Sequence, residues 1–166
     1  QTAIDVGTLI DNDQVKKVIA SYPVSPSPSK INSFESYFRK GKMELELVPQ
    51  GTLVERIRAG GAGIPAFFTP TGAGTQLSEG KEAREFDGRQ HILEHALKSD
   101  FALVKGYKAD TLGNLTYRGT SQNFGAVMVR STGVSIVEVD QVVDVGEIDP
   151  HLVHTPALFV DRIVTL

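Results

Sequence analysis

The alternation of hydrophobic and polar residues predicts most of the strands in this chain. Residues Met43 to Val48, with the sequence MELELV, alternate strictly, as expected for a strand with one buried face. Shorter or continuous apolar runs predict further strands that are more fully buried. We expect these strands at Val15–Ala20, Phe101–Tyr107, Val134–Val139 and Ala157–Val164.

Turn residues connect several of these segments. The dipeptide Asp87-Gly88 separates two short strand-like runs and predicts a β-hairpin over the sequence AREFDGRQHIL. A second turn at Gly113-Asn114 leads into another predicted strand. The Pro/Ser-rich stretch from Tyr22 to Lys30 resists regular structure and is predicted to be a loop.

Helical segments are few and short. Phe34, Tyr37 and Phe38 have helical spacing, and Gly41 is expected to end their helix. The sequence FGAVMVRS, residues 124 to 131, fits a helix or a buried strand equally well, and both interpretations stay open. Strands with short helices between them predict an α/β fold with an open mixed sheet and flanking helices. We expect residues 1–166 to form a single domain that is incomplete at its N-terminus, because QTAIDV resembles the middle of a chain.

The segment from Val48 to Thr75 is rich in glycine and proline. Thr52 and Glu55 fit a capping box, in which the two side chains bond the free amides at the start of a helix. Gly60 is then expected to end this helix. The glycine loop that follows would expose main-chain amides able to bind an anion or an oxyanion. The alternative interpretation, a close-packed crossing of two backbones without a ligand, is equally compatible with the glycine content.

Composition excludes several classes of function. The 166 residues carry a formal net charge of −3 and no basic run with interleaved aromatic residues, which argues against nucleic acid as a partner. No apolar stretch is long enough to span a bilayer, and no signal peptide is evident, so no membrane partner is expected. The absence of cysteine excludes disulfides and thiolate chemistry, and is compatible with the cytoplasm.

No complete catalytic set can be assembled from the residues alone. His91 and His95 are four residues apart, but they fall in a predicted strand and lack the HExxH pattern of zinc proteases. The chain contains no GxSxG nucleophile elbow and no GxGxxG dinucleotide fingerprint. We expect the aspartates at 110, 140, 144 and 149 to cap turns. The sequence thus predicts no catalytic residue and no metal site in this chain.

Five segments together resemble the A (alpha) subunit of family I coenzyme A transferases, the 3-oxoacid CoA-transferase group. They are VPQGTLVERIRAGGAGIPAFFTPTGAGT, REFDGR, DFALVKGYKADTLGNLTYR, NFG and TPALFVDRIV. The resemblance covers nearly the whole chain from Ala3 onward, in one order. The family's A half begins with a further strand and a glycine turn, so about the first third of the A half is expected to be missing.

The resemblance implies a partner B subunit, whose glutamate would attack the acyl-CoA thioester. Acyl-CoA and a carboxylic acid would be the substrates, and no cofactor would be required. The glutamine of the family's PQGT turn, here Gln50, would lie in the carboxylic acid pocket. We expect substrate binding by this turn and by the glycine loop, namely by Gln50, Gly51, Gly60, Gly61, Ala62, Gly63 and Ile64.

Two functions remain open at this point. The first is the A half of a 3-oxoacid CoA-transferase, with acetoacetate, 3-oxoadipate and short fatty acids as equally compatible acids. The second is a non-catalytic assembly or binding partner, a truncated remnant of such an enzyme.

Overall fold

A computed structural model describes residues 6–27 and 29–165. The predicted N-terminal edge at residues 1–5 and part of the Pro/Ser loop, residue 28, lie outside the described residues. The helices are α1 (Val6–Asp11), α2 (Ser33–Arg39), α3 (Gln50–Gly61) and α4 (Gln122–Met128). The strands are β1 (Lys17–Ala20), β2 (Glu44–Leu47), β3 (Ala66–Thr69), β4 (Ala83–Phe86), β5 (Arg89–His95), β6 (Ser99–Lys105), β7 (Lys108–Asp110), β8 (Leu115–Thr116), β9 (Thr132–Val139), β10 (Gln141–Val143) and β11 (Arg162–Thr165).

The strands form both parallel and antiparallel pairs, which confirms the predicted mixed α/β class. Strands β1 and β2 are parallel, and so are all three strands of the sheet with the order β11-β9-β6. The sheet with the order β3-β5-β4 is antiparallel, and the sheet β10-β7-β8 is mixed. No helix within the described ranges is both long and apolar enough to cross a lipid bilayer.

The predicted hairpin and the undecided segment are both settled by the structure. Strands β4 and β5 pair across Asp87 and Gly88, whose φ angles of 51° and 72° suit the tight turns that join antiparallel strands. The segment at residues 124 to 131, which fitted either a helix or a strand, is helical up to Met128, where α4 ends. Its Gly125 lies against the Tyr117 ring and the Val104 side chain, where a larger residue would be crowded.

The main core lies between α4 and one face of the β6–β9 pair. Ala102 and Val104 of β6 and Val137 and Val139 of β9 point to this side, and each is at most 7% exposed. A second, smaller core joins α1 and α2 through Ile10, Phe34 and Met43. The helix α2 begins at a capping box between Asn32 and Glu35, which satisfies main-chain amides at its start.

The capping box predicted for Thr52 and Glu55 is wrong. Helix α3 begins three residues earlier than expected, directly after Pro49, and no side chain caps it. Thr52 is therefore the third helical residue and is buried, and Glu55 pairs with Arg58 at 2.6 Å instead of reaching back to the helix start. The extended backbone of Pro49, with φ −54° and ψ 139°, allows the chain to turn into the helix at once.

The predicted helix end at Gly60 is also wrong. Helix α3 continues through Gly61, and the positive φ of 73° occurs at Gly63. A Cβ atom at Gly60 would lie 2.3 Å from the Leu97 carbonyl oxygen, and one at Gly61 would lie 2.8 Å from that of Arg130. These glycines are therefore explained by a close crossing of two backbones, the alternative that the sequence had left open.

Ion pairs and hydrogen bonds attach α3 to the neighbouring strands. The Arg56 guanidinium donates to the Glu46 carboxylate at 2.6 Å and to the His95 carbonyl oxygen at 2.9 Å. Lys17 donates to the other oxygen of Glu46, also at 2.6 Å. Hydrogen bonds from Lys17 and Arg56 lower the pKa of the Glu46 carboxyl below its ordinary value. The position of α3 relative to β2 and β5 is thus fixed by a charged group that is only partly exposed.

We expect Gly60→Ala to lower the free energy of unfolding by about 1–3 kcal/mol, the usual range for overpacking. The reason is the Leu97 carbonyl, which cannot move without disturbing the main chain. Urea denaturation measures this difference. Gly51→Ala is the matched control, because a Cβ atom at Gly51 meets nothing within 4 Å. A Gly60→Ala protein as stable as the Gly51→Ala protein would contradict the close crossing.

We expect Glu46→Gln to lower the melting temperature at pH 7 and to have no effect in strong acid. A carboxyl with a lowered pKa in the folded state stabilises the protein above its unfolded pKa, about 4.3, and this contribution is lost as the pH falls through the folded pKa. Melting curves from pH 7 to pH 3 measure the difference between the two proteins. Glu82→Gln is the control, since its pair with Arg84 is largely exposed and should contribute little at any pH.

Candidate functional site

The start of helix α3 presents main-chain donors without partners. The amides of Gln50, Gly51 and Thr52 donate no hydrogen bond to any described residue, and the first amide that does is that of Leu53, to the Pro49 carbonyl at 2.9 Å. The first N–H groups of a helix carry the positive end of its dipole. This end of α3 is therefore suited to an anion.

A cleft of about 550 Å³ opens beside this helix start, and we call it the α3 cleft. Its walls come from the first turns of α3 and from the end of β3. Thr69 accepts a hydrogen bond from the Thr71 amide at 3.2 Å, which leaves the Thr69 hydroxyl proton free to donate. The residues that line the α3 cleft are Gln50, Gly51, Thr52, Val54, Glu55, Phe67, Thr69 and Thr71.

The structure separates the seven predicted substrate-binding residues into two groups. Gln50 and Gly51 lie at the start of α3, in the α3 cleft. Gly60 to Ile64 lie at its other end, about 15 Å away along a helix that rises 1.5 Å per residue. One anion cannot contact both groups directly.

The predicted amide donors of the glycine loop are already used. The amides of Ala62 and Ile64 donate to carbonyl oxygens of the last turn of α3, at 3.0 and 2.9 Å, and that of Gly63 donates to the Gly60 carbonyl at 3.4 Å. A helix C-terminus also carries the negative end of the dipole, which disfavours an anion. The prediction of free amides here is therefore wrong, because the sequence does not show which carbonyls the loop folds back onto. Substrate binding at residues 60–64 stays a prediction without that support.

The histidines do not form a metal site in the described part of the chain. His91 and His95 both lie on β5, where the His91 ring contacts the Arg89 carbonyl at 2.8 Å and the edge of Phe86. His154 accepts a hydrogen bond from the Tyr117 amide at 3.0 Å through Nδ1. Among described residues, no three histidine, aspartate or glutamate side chains are grouped so as to hold a metal ion.

Two of the four aspartates expected to cap turns make such hydrogen bonds. Asp110 accepts from the amides of Leu112, Gly113 and Asn114 and so closes the turn between β7 and β8. Burial acts to raise the pKa of Asp110, but the hydrogen bond from the Asn114 side chain and those from these amides outweigh it, and the pKa is lowered. Asp149 accepts from the His151 amide at 2.9 Å. Asp140 instead pairs with Lys105.

Sequence reasoning missed the other wall of the α3 cleft. Phe67, Thr69 and Thr71 belong to the glycine- and proline-rich segment, but no motif marks them as binding residues. The sequence predicts Thr52 only as a helix cap and does not indicate its place in the cleft. Only the packing of β3 beside α3 brings these residues together.

The family model described as "Coenzyme A transferase" matches residues 1–166. The chain is 50% identical over 163 residues to the A subunit of the 3-oxoadipate CoA-transferase of Pseudomonas putida, covering 98% of this chain and 69% of that protein. It is 49% identical to the A subunit of the probable succinyl-CoA:3-ketoacid coenzyme A transferase of Bacillus subtilis, covering 96% of this chain and 65% of the relative.

Among solved structures, the fold is similar to an acyl-CoA transferase from E. coli O157:H7, determined as a thioester complex with CoA. The TM-score is 0.82 at 19% identity, with 98% of this chain and 36% of that one covered. The chain spans about two thirds of the length of the two sequence relatives. The family match over the full length agrees with the identity to these two relatives, and the chain belongs to the coenzyme A transferase family.

Proposed function

We propose that residues 1–166 are a single A-half domain of a 3-oxoacid CoA-transferase. The enzyme would move CoA between an acyl-CoA, such as succinyl-CoA, and a 3-oxo acid or short carboxylic acid. The observation that carries this proposal is the α3 cleft, in which Gln50 stands at the positive end of a helix. The names of the two relatives support it, since both are A halves of enzymes that transfer CoA to or from such acids.

The proposed chemistry is a double displacement on a glutamate of the partner B subunit. The glutamate carboxylate attacks the acyl-CoA thioester and displaces the CoA thiolate, which forms an acyl-glutamyl anhydride. The thiolate then attacks the glutamyl carbonyl, releasing the first acid and leaving a glutamyl-CoA thioester. The second acid repeats these steps in reverse and leaves as its CoA thioester. The thioester complex of the structurally similar acyl-CoA transferase supports an intermediate of this kind.

In this scheme the A half binds and orients the acid. Gln50 is exposed, and its side chain makes no hydrogen bond with another described residue, so its amide group is available to a ligand. An amide donates to a carboxylate or keto oxygen without placing a charge beside the nucleophile. If Gln50 only braced the turn, its side chain should bond to neighbouring main chain, and among the described residues it does not.

We expect Gln50→Ala to weaken transfer to the free acid by roughly ten- to a hundred-fold. A hydrogen bond to a charged group contributes about 1.5–3 kcal/mol. Gln50→Glu should be worse, because it sets a like charge against the substrate carboxylate. Formation of the enzyme–CoA thioester from acyl-CoA should change little. Single-turnover measurements of the two half-reactions on the assembled enzyme separate these effects.

The melting temperature of each Gln50 variant is the control for a purely structural role. A residue that only braces the turn would lower the melting temperature and leave the kinetics of the folded enzyme near those of the wild type. Acid transfer that is unchanged in Gln50→Ala would end the proposed role of this side chain.

The proposed function requires a B half, and the alternative does not. We expect the A half to form a stable complex with a B subunit through a large apolar interface, because each half contributes part of the active site. Several large apolar side chains are exposed and available for such an assembly, among them Phe101, Leu103 and Leu158. Size-exclusion chromatography of the chain alone and with a B subunit measures this.

A CoA-transfer assay on the A/B complex isolated by this chromatography separates the two candidate functions. A non-catalytic remnant would pair with the B subunit without restoring CoA transfer, and the observation that favours it is the lack of a complete catalytic set in this chain. A monomer that transfers CoA by itself would contradict both candidates.

Catalysis by a carboxylate nucleophile needs no metal or organic cofactor, and we propose that this enzyme uses none. We expect the activity of the assembled enzyme to survive EDTA. Loss of activity that zinc or magnesium restores would contradict this. We also propose a cytoplasmic location, with which a chain that lacks cysteine is compatible.

A further inference from the structure

Thr52 carries a hydroxyl group without a hydrogen-bond partner. The residue is only 4% exposed, and its Oγ1 is the one buried side-chain polar atom of the described residues that bonds to nothing. Buried hydroxyls are nearly always paired, so an exception needs an explanation. Thr155 provides the contrast, since it is fully buried and its hydroxyl bonds that of Tyr117 at 3.0 Å.

The local backbone offers Thr52 an acceptor that it does not use. A threonine inside a helix commonly bonds the carbonyl three or four residues earlier, here that of Pro49 or Val48. Pro49 accepts from the Leu53 amide instead, and the Thr52 hydroxyl bonds neither carbonyl. The Thr52 amide also donates to no described residue. One residue at the positive end of α3 therefore holds two donors without partners.

Thr52 lines the α3 cleft next to Gln50 and Gly51. Threonine in a helix populates two χ1 rotamers, and rotation between them exchanges the positions of the methyl and the enclosed hydroxyl. A ligand with an acceptor oxygen in the cleft would favour the rotamer that directs the hydroxyl to it. The Thr52 hydroxyl is therefore a possible further hydrogen-bond donor for such a ligand, in addition to the free main-chain amides.

The charges around the cleft restrict the kind of anion. Among the described residues no lysine or arginine lines it, and the single charged one that does is Glu55, which pairs with Arg58 at 2.6 Å. The phosphates of CoA carry several charges and usually require arginine or lysine. Uncharged donors at a helix start suit a singly charged carboxylate better.

We propose that Thr52 is a carboxylate-binding residue of the acid subsite, in which its hydroxyl and the free amides of α3 hold the acid beside Gln50. The inference rests on the proposed function and adds to it a residue that determines affinity for the acid. The hydroxyl gains its hydrogen bond when the acid binds.

The test compares Thr52→Val, which replaces the hydroxyl with a methyl group of similar size, with Thr52→Ser, which keeps the hydroxyl. Acetoacetate is titrated against the assembled A/B enzyme by saturation-transfer NMR, and melting temperatures are measured in parallel. We expect Thr52→Val to weaken acetoacetate binding about ten-fold, and Thr52→Ser to bind within about two-fold of the wild type. The melting temperature of Thr52→Val should be unchanged or raised, because no hydrogen bond of the fold is lost.

Thr155→Val is the matched control. It removes a paired buried hydroxyl outside the cleft, so it should lower the melting temperature and leave acetoacetate binding unchanged. Inorganic phosphate is the control ligand and should not displace acetoacetate. Wild-type affinity in Thr52→Val, equal weakening in Thr52→Val and Thr52→Ser, or displacement by phosphate would each overturn the proposal. Binding of none of acetoacetate, 3-oxoadipate and a short fatty acid to the wild type would overturn it as well; if only one of the latter two binds, it replaces acetoacetate in the titration.

Failure of the proposed function is recognised separately. If the wild-type assembly binds acetoacetate but transfers CoA from succinyl-CoA neither to acetoacetate, nor to 3-oxoadipate, nor to a short fatty acid, the CoA-transferase assignment fails. The comparison of Thr52→Val with Thr52→Ser still decides the role of Thr52 in carboxylate binding.

Discussion

The candidate site depends on how tightly the far end of α3 is held. Gly60 and Gly61 lie so close to the main chain at Leu97 and Arg130 that no side chain fits between them. Arg56 adds a hydrogen bond to the His95 carbonyl and an ion pair with Glu46. Contacts at one end and in the middle of a rigid helix set the position of its start. The position of the free amides at Gln50 therefore depends on two glycines at the far end of the same helix.

The sequence predicts local structure well where one residue pair decides it. Asp87-Gly88 permits the positive φ angles of a tight turn, and the structure has the hairpin there. A capping box is less decisive, because the same residue pattern occurs at Asn32 and Glu35 and at Thr52 and Glu55, yet only the first pair caps a helix. The difference is Pro49, whose extended backbone starts α3 early and places Thr52 inside it.

The site could be predicted only in part, since its donors depend on tertiary contacts. The resemblance indicated Gln50. The sequence does not show, however, that the amides around Gly63 donate to carbonyl oxygens of α3 while the amide of Gly51 has no partner among the described residues. Gly51 lies in the first turn of α3, at its positive end, whereas Gly63 lies just beyond its negative end. The wall formed by Thr69 and Thr71 requires β3 to pack beside α3, which no local pattern encodes.

No lysine or arginine of the described residues lines the α3 cleft, and this is consistent with the chemistry proposed for it. In a double displacement the second acid must itself attack an enzyme thioester, so its carboxylate has to be held and still remain nucleophilic. An arginine or lysine would bind it more tightly in the ground state, and binding that is equally strong before reaction does not accelerate the chemical step. Amide and hydroxyl donors orient the carboxylate while withdrawing less of its charge. The proposed roles of Gln50 and Thr52 meet this requirement, since Glu55 is paired with Arg58 and no described lysine or arginine lines the cleft.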